Sequence, residues 1–386
     1  EKADAKYILL SYNNMSDKGN DRSNAKISDE DIMRILSKKG KVTIFELDYK
    51  SFSTGKSDIK DNKERLFLCE VFSEEKKKMN IPCPFNYTGG KFKLLEQLQP
   101  LFDEKEVFLD LFAGGGNVGI NSSSSKVIFN DSNEKLIDLI KFIKDTDTDV
   151  LLKQIDNIIY EYDLSNTSLY GYSYYDCDSS RGLAEYNKER FFKLRDDFNA
   201  KVLAGKTDYS MLYVLMVFSF NNQIRFNRKE LFNLPVGKRD FNSKMRSKLV
   251  LFSEELKSKD IQFIKKDFRE ISLDGFSHET FVYCDPPYLI TNATYNENGM
   301  WTEIEEKALL EFLDEANEKG FNFALSNVLE SKNKRNDFLY NWIESKGYSC
   351  NRLNKSYSNS SYHRKNKNSI SEEVLITNYP VDWRNE

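Results

Sequence analysis

The sequence predicts an α/β protein built on an open, Rossmann-like sheet, and three stretches predict it. The apolar run Val107-Phe108-Leu109-Asp110-Leu111-Phe112 leads straight into Ala113-Gly114-Gly115-Gly116-Asn117-Val118-Gly119. A second run, Val127-Ile128-Phe129, is followed by Asp131, twenty-one residues after Asp110. A third, Thr280-Phe281-Val282-Tyr283-Cys284, delivers Asp285-Pro286-Pro287-Tyr288. A strand that ends in consecutive glycines, with a helix to follow, brings backbone close to a ligand. Glycine turns sharply and has no Cβ to clash.

The glycine loop has its own chemistry. The order Asp-x-Phe-x-Gly-x-Gly departs from the dinucleotide pattern Gly-x-Gly-x-x-Gly, and it lacks the Gly-Lys-Ser/Thr of a P-loop. In this reading Asp110 accepts a hydrogen bond from a cofactor amino group, Phe112 meets apolar parts of the cofactor, and Gly114 and Gly116 let the backbone approach it. An acid at the end of the second strand suits ribose hydroxyls, which is the role expected of Asp131. Ser132-Asn133-Glu134 follows it, so capping the next helix is an equally open role for Asp131. Upstream, Tyr87-Thr88-Gly89-Gly90-Lys91 precedes the apolar positions Leu94, Leu95 and Leu98. Tyr87 and Lys91 there face a carboxylated ligand, or simply open a helix.

The tetrapeptide after the third strand carries the reaction chemistry. Its two prolines fix φ and hold the turn open. That rigidity aims the Asp285 carboxylate and a backbone carbonyl, that of Pro286, at one amine, and Tyr288 offers a flat face to a planar base. An exocyclic base amine is a poor nucleophile because its lone pair is delocalised. Two acceptors on its N–H groups favour a more tetrahedral, nucleophilic nitrogen. Attack on a sulfonium methyl then needs neither metal nor covalent enzyme nucleophile. The alternative reading is a polar turn with a structural proline pair.

Composition narrows the classes. Hydrophobic residues make up 39% of the 386, with 28 Phe and 21 Tyr, enough for a sizeable core. The five cysteines include no Cys-x-x-Cys pair and there are only two histidines, so neither a disulfide framework, a zinc site nor a Ser-His-Asp scheme is expected. No apolar run reaches membrane-spanning length and no leader is evident, and the scattered cysteines suit a reduced cytoplasmic protein; a bacterial source and a monomeric state are separate expectations. The net charge of −4 gives no global nucleic-acid signal. Locally, residues 225–248 carry eight basic side chains, and residues 352–367 carry five with no acid. Such segments grip phosphates or are solvated loops.

The first 75 residues echo the end of the chain. "LLSYNN" matches "ALSN", "SKKGKV" matches "ESKGYS", and "KERLFLCE" matches "SEEVLITN", in the same order. A helix through Ile32, Ile35 and Leu36 is expected to end at Gly40, between strands at Tyr7–Leu10, Val42–Phe45 and Leu66–Cys69. Because the chain opens on Glu1, residues 1–75 are expected to be the tail of a preceding half whose front is missing, joined by the charged linker Glu74–Met79.

With these residues in hand, the sequence resembles the Dam-type, alpha-class adenine-N6 DNA methyltransferases, and most of all the fused, two-half modification methylases of type IIS systems. The resemblance covers residues 80–380, through "NYTGGKFKLL", "FLDLFAGGGNVG", "FNDSN", "YCDPPY" and "ALSN". It implies a Rossmann-like S-adenosylmethionine-dependent methyltransferase fold with a mostly helical target-recognition insertion and a β-hairpin. Residues 80–150 would form the cofactor-binding part, 151–250 the target-recognition region and 251–386 the catalytic part. It implies that Tyr87 lines the cofactor pocket, that Lys91 contacts the cofactor, that Asp131 binds its ribose, and that Asp267 recognises its adenine unless it is an ordinary loop acid. It also implies that the basic stretch 221–242 contacts double-stranded DNA through Arg225, Asn227, Arg228, Lys238 and Arg239. Three other readings remain open: an N4-cytosine DNA or adenine RNA methyltransferase, an inactive nucleic-acid-binding remnant, and a nucleotide-dependent oxidoreductase, which leaves Asp285–Tyr288 without a role.

Overall fold

The structure is a computed structural model and describes residues 7–13, 27, 29–48, 63–71, 80–86, 89–290, 301–331, 334–353 and 371–381. The chain divides into two compact units, Glu1–Met79 and Asn80–Glu386.

The first unit comprises strand β1 (Tyr7–Asn13), helix α1 (Asp29–Ser37), strand β2 (Gly40–Asp48) and strand β3 (Lys63–Val71). The strands form an antiparallel sheet in the order β1-β3-β2. Ile32 and Leu36 of α1 are buried with Phe67 and Cys69 of β3, while Ile35 faces outward. Gly40 opens β2 instead of closing the helix, contrary to the expectation. A Cβ there would lie 2.0 Å from the Glu70 carbonyl oxygen, so the strands approach too closely for any side chain.

The second unit begins with the short helix α2 (Leu95–Leu98), then strands β4 (Val107–Asp110) and β5 (Lys126–Asn130). Five helices follow: α3 (Glu134–Asp145), α4 (Thr148–Glu161), α5 (Thr167–Tyr170), α6 (Ala184–Leu203) and α7 (Tyr209–Phe218). After an irregular hairpin come α8 (Ser243–Ser258), β6 (Asp260–Ile264), β7 (Thr280–Cys284), α9 (Glu303–Glu318), β8 (Asn322–Ser331), β9 (Lys334–Arg335), α10 (Asp337–Lys346), β10 (Ser349–Leu353) and β11 (Ser371–Thr377). The sheet order is β10-β11-β8-β7-β4-β5-β6, with β9 on β8. The strands from β6 to β8 are parallel, and β11 runs against both of its neighbours.

Strands buried on both faces read as continuous apolar runs, as β4 and β7 do. Their side chains alternate between two layers. Phe108, Phe281 and Tyr283 enter one core with α3, α4, α6, α7 and α8; Val107, Leu109, Val282 and Cys284 enter the other with α9 and α10. Helix α7 is almost wholly apolar and buried from Ser210 to Phe218, as a central helix must be. The chain runs outward from β4 to β5 and β6, then returns to place β7 on the other side of β4. That reversal opens a crevice at the carboxyl ends of β4 and β7, where open α/β sheets bind ligands.

Two local expectations are corrected. The glycine loop is followed by one 3-10 turn, Gly119–Asn121, and not by an α-helix. Asp110 holds the Gly119 N–H, Asn121 donates to the Ile81 and Asn117 carbonyls, and Ser122 and Ser124 donate to the Gly119 and Lys105 carbonyls. Short polar side chains that capture backbone in this way compete with helix. The basic hairpin is no regular ladder either: its bridges are Ser219–Val236 and Phe226–Phe232. Left-handed Asn221 and Asn222 and the ring of Pro235 interrupt pairing there. Among the described residues, no helix is long and apolar enough to cross a membrane, and no group of three His, Cys, Asp or Glu is placed to hold a metal ion.

Candidate active site

Strand β7 ends at Cys284, and Asp285 emerges into the crevice with its side chain 17% exposed. Asp285 Oδ1 lies 2.7 Å from Lys91 Nζ and 2.9 Å from the Tyr288 hydroxyl. Lys91 is only 2% exposed. Its ammonium also reaches the Gly89 carbonyl at 3.1 Å and Glu373 Oε1 at 3.3 Å, and it sits 5.0 Å from the centre of the Tyr288 ring. Burial presses the Lys91 ammonium toward deprotonation, but Asp285 and Glu373 outweigh it and hold the group above its ordinary value. Burial raises the Asp285 carboxyl, with Lys91 pulling the other way. Pro286 is buried behind the turn and fixes its path.

Across the switch point stands the glycine loop. Gly114 and Gly116 adopt φ of +50° and +72°, a region that side-chain-bearing residues avoid. Asp131 does not cap the next helix; Asn133 does. Asp131 instead accepts from the Gly114 N–H at 2.9 Å and the Asn133 N–H at 2.8 Å, bracing the loop from β5. Asp110 is 1% exposed, and burial pushes its carboxyl up to about 8. A phosphate entering here would face the Asp110 and Asp131 carboxylates. A ligand with an ammonium group and ribose hydroxyls fits those acceptors far better. Phe112 completes the wall with Phe268 and Trp301, ring centres 5.4 and 5.8 Å away. Asp267 caps the turn Phe268–Glu270 and grips Arg269 with both carboxylate oxygens, at 2.8 and 2.9 Å. That hydrogen-bonded guanidinium holds it below the usual carboxylate range. Tyr87 lies outside the described residues.

The chain has relatives among known proteins. Residues 87–370 match the D12 class N6 adenine-specific DNA methyltransferases. The chain belongs to this family. It is 35% identical to the type II methyltransferase M.FokI of Planomicrobium okeanokoites, over 98% of this chain and 57% of that protein. It is 36% identical to the modification methylase StsI of Streptococcus sanguinis, over 97% of this chain and 56% of that one. A DNA adenine methylase of Haemophilus influenzae is 27% identical over 56% of this chain. The chain thus spans little more than half the length of the first two relatives.

In this D12-class chain the basic hairpin presents its tip outward. Asn227 accepts from the Lys229 and Leu231 N–H groups at 2.8 and 3.1 Å, so it builds the turn. Arg225 is held by Asn233, Lys238 reaches the Ser180 carbonyl and Arg239 reaches the Tyr172 hydroxyl. At the tip Lys135 neutralises Glu230 at 2.6 Å, which leaves Arg228 and Lys229 as the outward charge. Two residues escaped the sequence reading: Glu373, which reads as an ordinary acid at the start of a strand, and Trp301, which precedes a helix without any motif. The only signal for Glu373 was its place in the "SEEVLITN" echo.

Proposed function

We propose that this chain transfers a methyl group from S-adenosylmethionine to the N6 amine of adenine in double-stranded DNA, as the modification component of a restriction-modification system. The observation that carries the reading is the Asp285 carboxylate. It stands in the switch-point crevice, opposite a glycine loop braced by Asp110 and Asp131, with Oδ1 held by Lys91 and Tyr288. S-adenosylmethionine, when bound, supplies a methyl on a sulfonium that leaves as a neutral thioether. The chain's own part is to accept the amine's N–H at Asp285 and the Pro286 carbonyl, to stack the base on Tyr288, and to exclude water with the aromatic wall. The target base must leave the duplex, at roughly a few kcal/mol, offset by stacking and hydrogen bonds in the pocket. Tyr87, Lys91, Asp110, Phe112, Gly114, Gly116, Asp131 and Asp267 are assigned to the cofactor. Arg225, Arg228, Lys238 and Arg239 are assigned to DNA, with Asn227 shaping the turn that presents them within the target-recognition region 151–250.

The test is methyl transfer from labelled cofactor to a duplex library, followed by digestion to nucleosides. N6-methyladenine that disappears in Asp285→Ala supports the reading. Labelled N4-methylcytosine moves the substrate to cytosine, and tight DNA binding without incorporation makes the chain a binding protein.

Residues 1–75 are read as a copy of the end of the methyltransferase domain. The order β1-α1-β2-β3 with sheet order β1-β3-β2 matches β8-α10-β10-β11 with sheet order β8-β11-β10. Val42 pairs with Cys69, and their echoes Ser349 and Thr377 pair with each other. The other pairing is displaced by one residue: Leu10 faces Phe67, whereas Leu325 faces Ile376.

A further inference from the structure

Glu373 is a buried acid that the reaction as described leaves unused. It is 1% exposed and lies on β11, next to the apolar run Val374-Leu375-Ile376. A bulge interrupts the β11–β8 pairing between Glu372 and Glu373, the kind of irregularity that re-aims a side chain. The re-aimed carboxylate reaches across β8 to the catalytic turn. Its Oε1 lies 3.3 Å from Lys91 Nζ and 3.1 Å from the Tyr288 hydroxyl. Those two groups are the ones that occupy Asp285 Oδ1. One ammonium and one phenol proton are therefore shared between two carboxylates.

We infer that Glu373 is a positioning residue for methyl transfer: by sharing Lys91 and Tyr288 with Asp285, it keeps the Asp285 carboxylate electron-rich and correctly turned toward the target amine. Glu373 takes part of the Lys91 and Tyr288 hydrogen bonding that would otherwise go to Asp285. With Glu373 neutral, Lys91 pairs with Asp285 alone. Asp285 is then a fully compensated ion-pair partner and a poorer acceptor for an amine that must gain positive character as it attacks. The effect is expected in the chemical step, since Glu373 meets the catalytic turn through Lys91 and Tyr288. The inference rests on the proposed amine methylation.

The test is single-turnover methylation by the full chain under saturating S-adenosylmethionine and duplex DNA. Rates are divided by the number of cofactor-binding sites titrated in each preparation. For Glu373→Gln the rate per site should fall by about 30-fold or more, in the range seen when one preorganised electrostatic partner is removed. Cofactor and DNA affinities should stay within about threefold, because only the transition state loses an interaction. Glu373→Asp restores the charge on a shorter arm and should recover most of the rate, ending about three- to tenfold below the unaltered protein. A Glu373→Gln rate per site equal to that of the unaltered protein overturns the inference, as does a loss seen only as fewer binding-competent sites. If Glu373→Gln does not fold, Glu373→Asp decides alone: an unchanged rate per site overturns the inference and the stated drop supports it. Failure of the unaltered protein to methylate adenine would overturn the functional reading itself, a separate result.

Discussion

Asp110 shows what burial does to the acid proposed to hold the cofactor. It is buried at the end of β4, accepting from the Gly119 N–H, and its carboxyl rises to about 8 because burial disfavours the charged form. A folded-state value above the unfolded one means that the folded protein binds the proton more tightly. Stability contributed by this group is therefore present at low pH and is lost as pH rises from the unfolded value through about 8. Asparagine carries no such penalty. Asp110→Asn should melt at a higher temperature than the unaltered protein, by a margin that widens from pH 5 to pH 8 and then levels off, while cofactor binding collapses. Parallel melting curves across that range would contradict the assignment. Trp301 offers a direct optical probe of the same pocket. Its indole packs on Phe112 and Phe268, and its N–H donates to the buried Glu306 carboxylate at 2.8 Å. Glu306 also accepts from Asn327 and Asn336, so three neutral donors fix the ring. Adding S-adenosylmethionine should shift tryptophan emission, and Trp301→Phe should abolish that shift with Trp342 still present. A response that survives the substitution places the cofactor elsewhere.

At the scale of elements, what sequence reveals depends on how local the cause is. The glycine loop and the Asp285–Tyr288 turn are contiguous, and each follows a buried strand, so both were legible with their flanking strands. The 3-10 turn that replaces the expected helix after the glycine loop was not, because the captured backbone there depends on Ile81 and Lys105 from other segments. Glu373 was hidden for the same reason: its meaning comes from Lys91 and Tyr288, distant in sequence and joined only by the sheet order. Asp267 was legible as an acid but not as the partner of Arg269, two residues on, since two neighbours in a loop need not face each other. The hairpin falls between these cases. Its basic character was plain, yet the structure separates the side chains that build it from those that point away. Asn227 closes the turn and Arg225 is tied to Asn233, whereas Arg228 and Lys229 project at the tip. Removing both tip charges in Arg228→Ala/Lys229→Ala should weaken DNA binding and lower the slope of log affinity against log salt by about 2, roughly one released counterion per lost phosphate contact. Cofactor affinity should not move. An unchanged salt slope would show that the tip does not meet phosphate.

On the scale of the whole chain, the division into two units sorts every group in the site to one side. Lys91, Asp110, Asp131, Asp285, Tyr288, Glu373 and the aromatic wall all belong to Asn80–Glu386. That unit holds an eight-stranded sheet with helices on both faces, and it closes its own core. The Glu1–Met79 unit has its own small core of Ile32, Leu36, Phe67 and Cys69. If residues 1–75 repeat the end of the domain and do not complete it, the larger unit needs nothing from them to bind its cofactor. A chain lacking residues 1–79 should therefore bind S-adenosylmethionine within about threefold of the full chain, a difference under about 0.7 kcal/mol. Its Trp301 emission should respond in the same way. Calorimetric titration of both chains, with the Trp301→Phe variant of each, reads the two quantities separately. Loss of cofactor affinity in the shortened chain, with its melting transition intact, would mean that the first unit completes this site, and the repeat reading would fail.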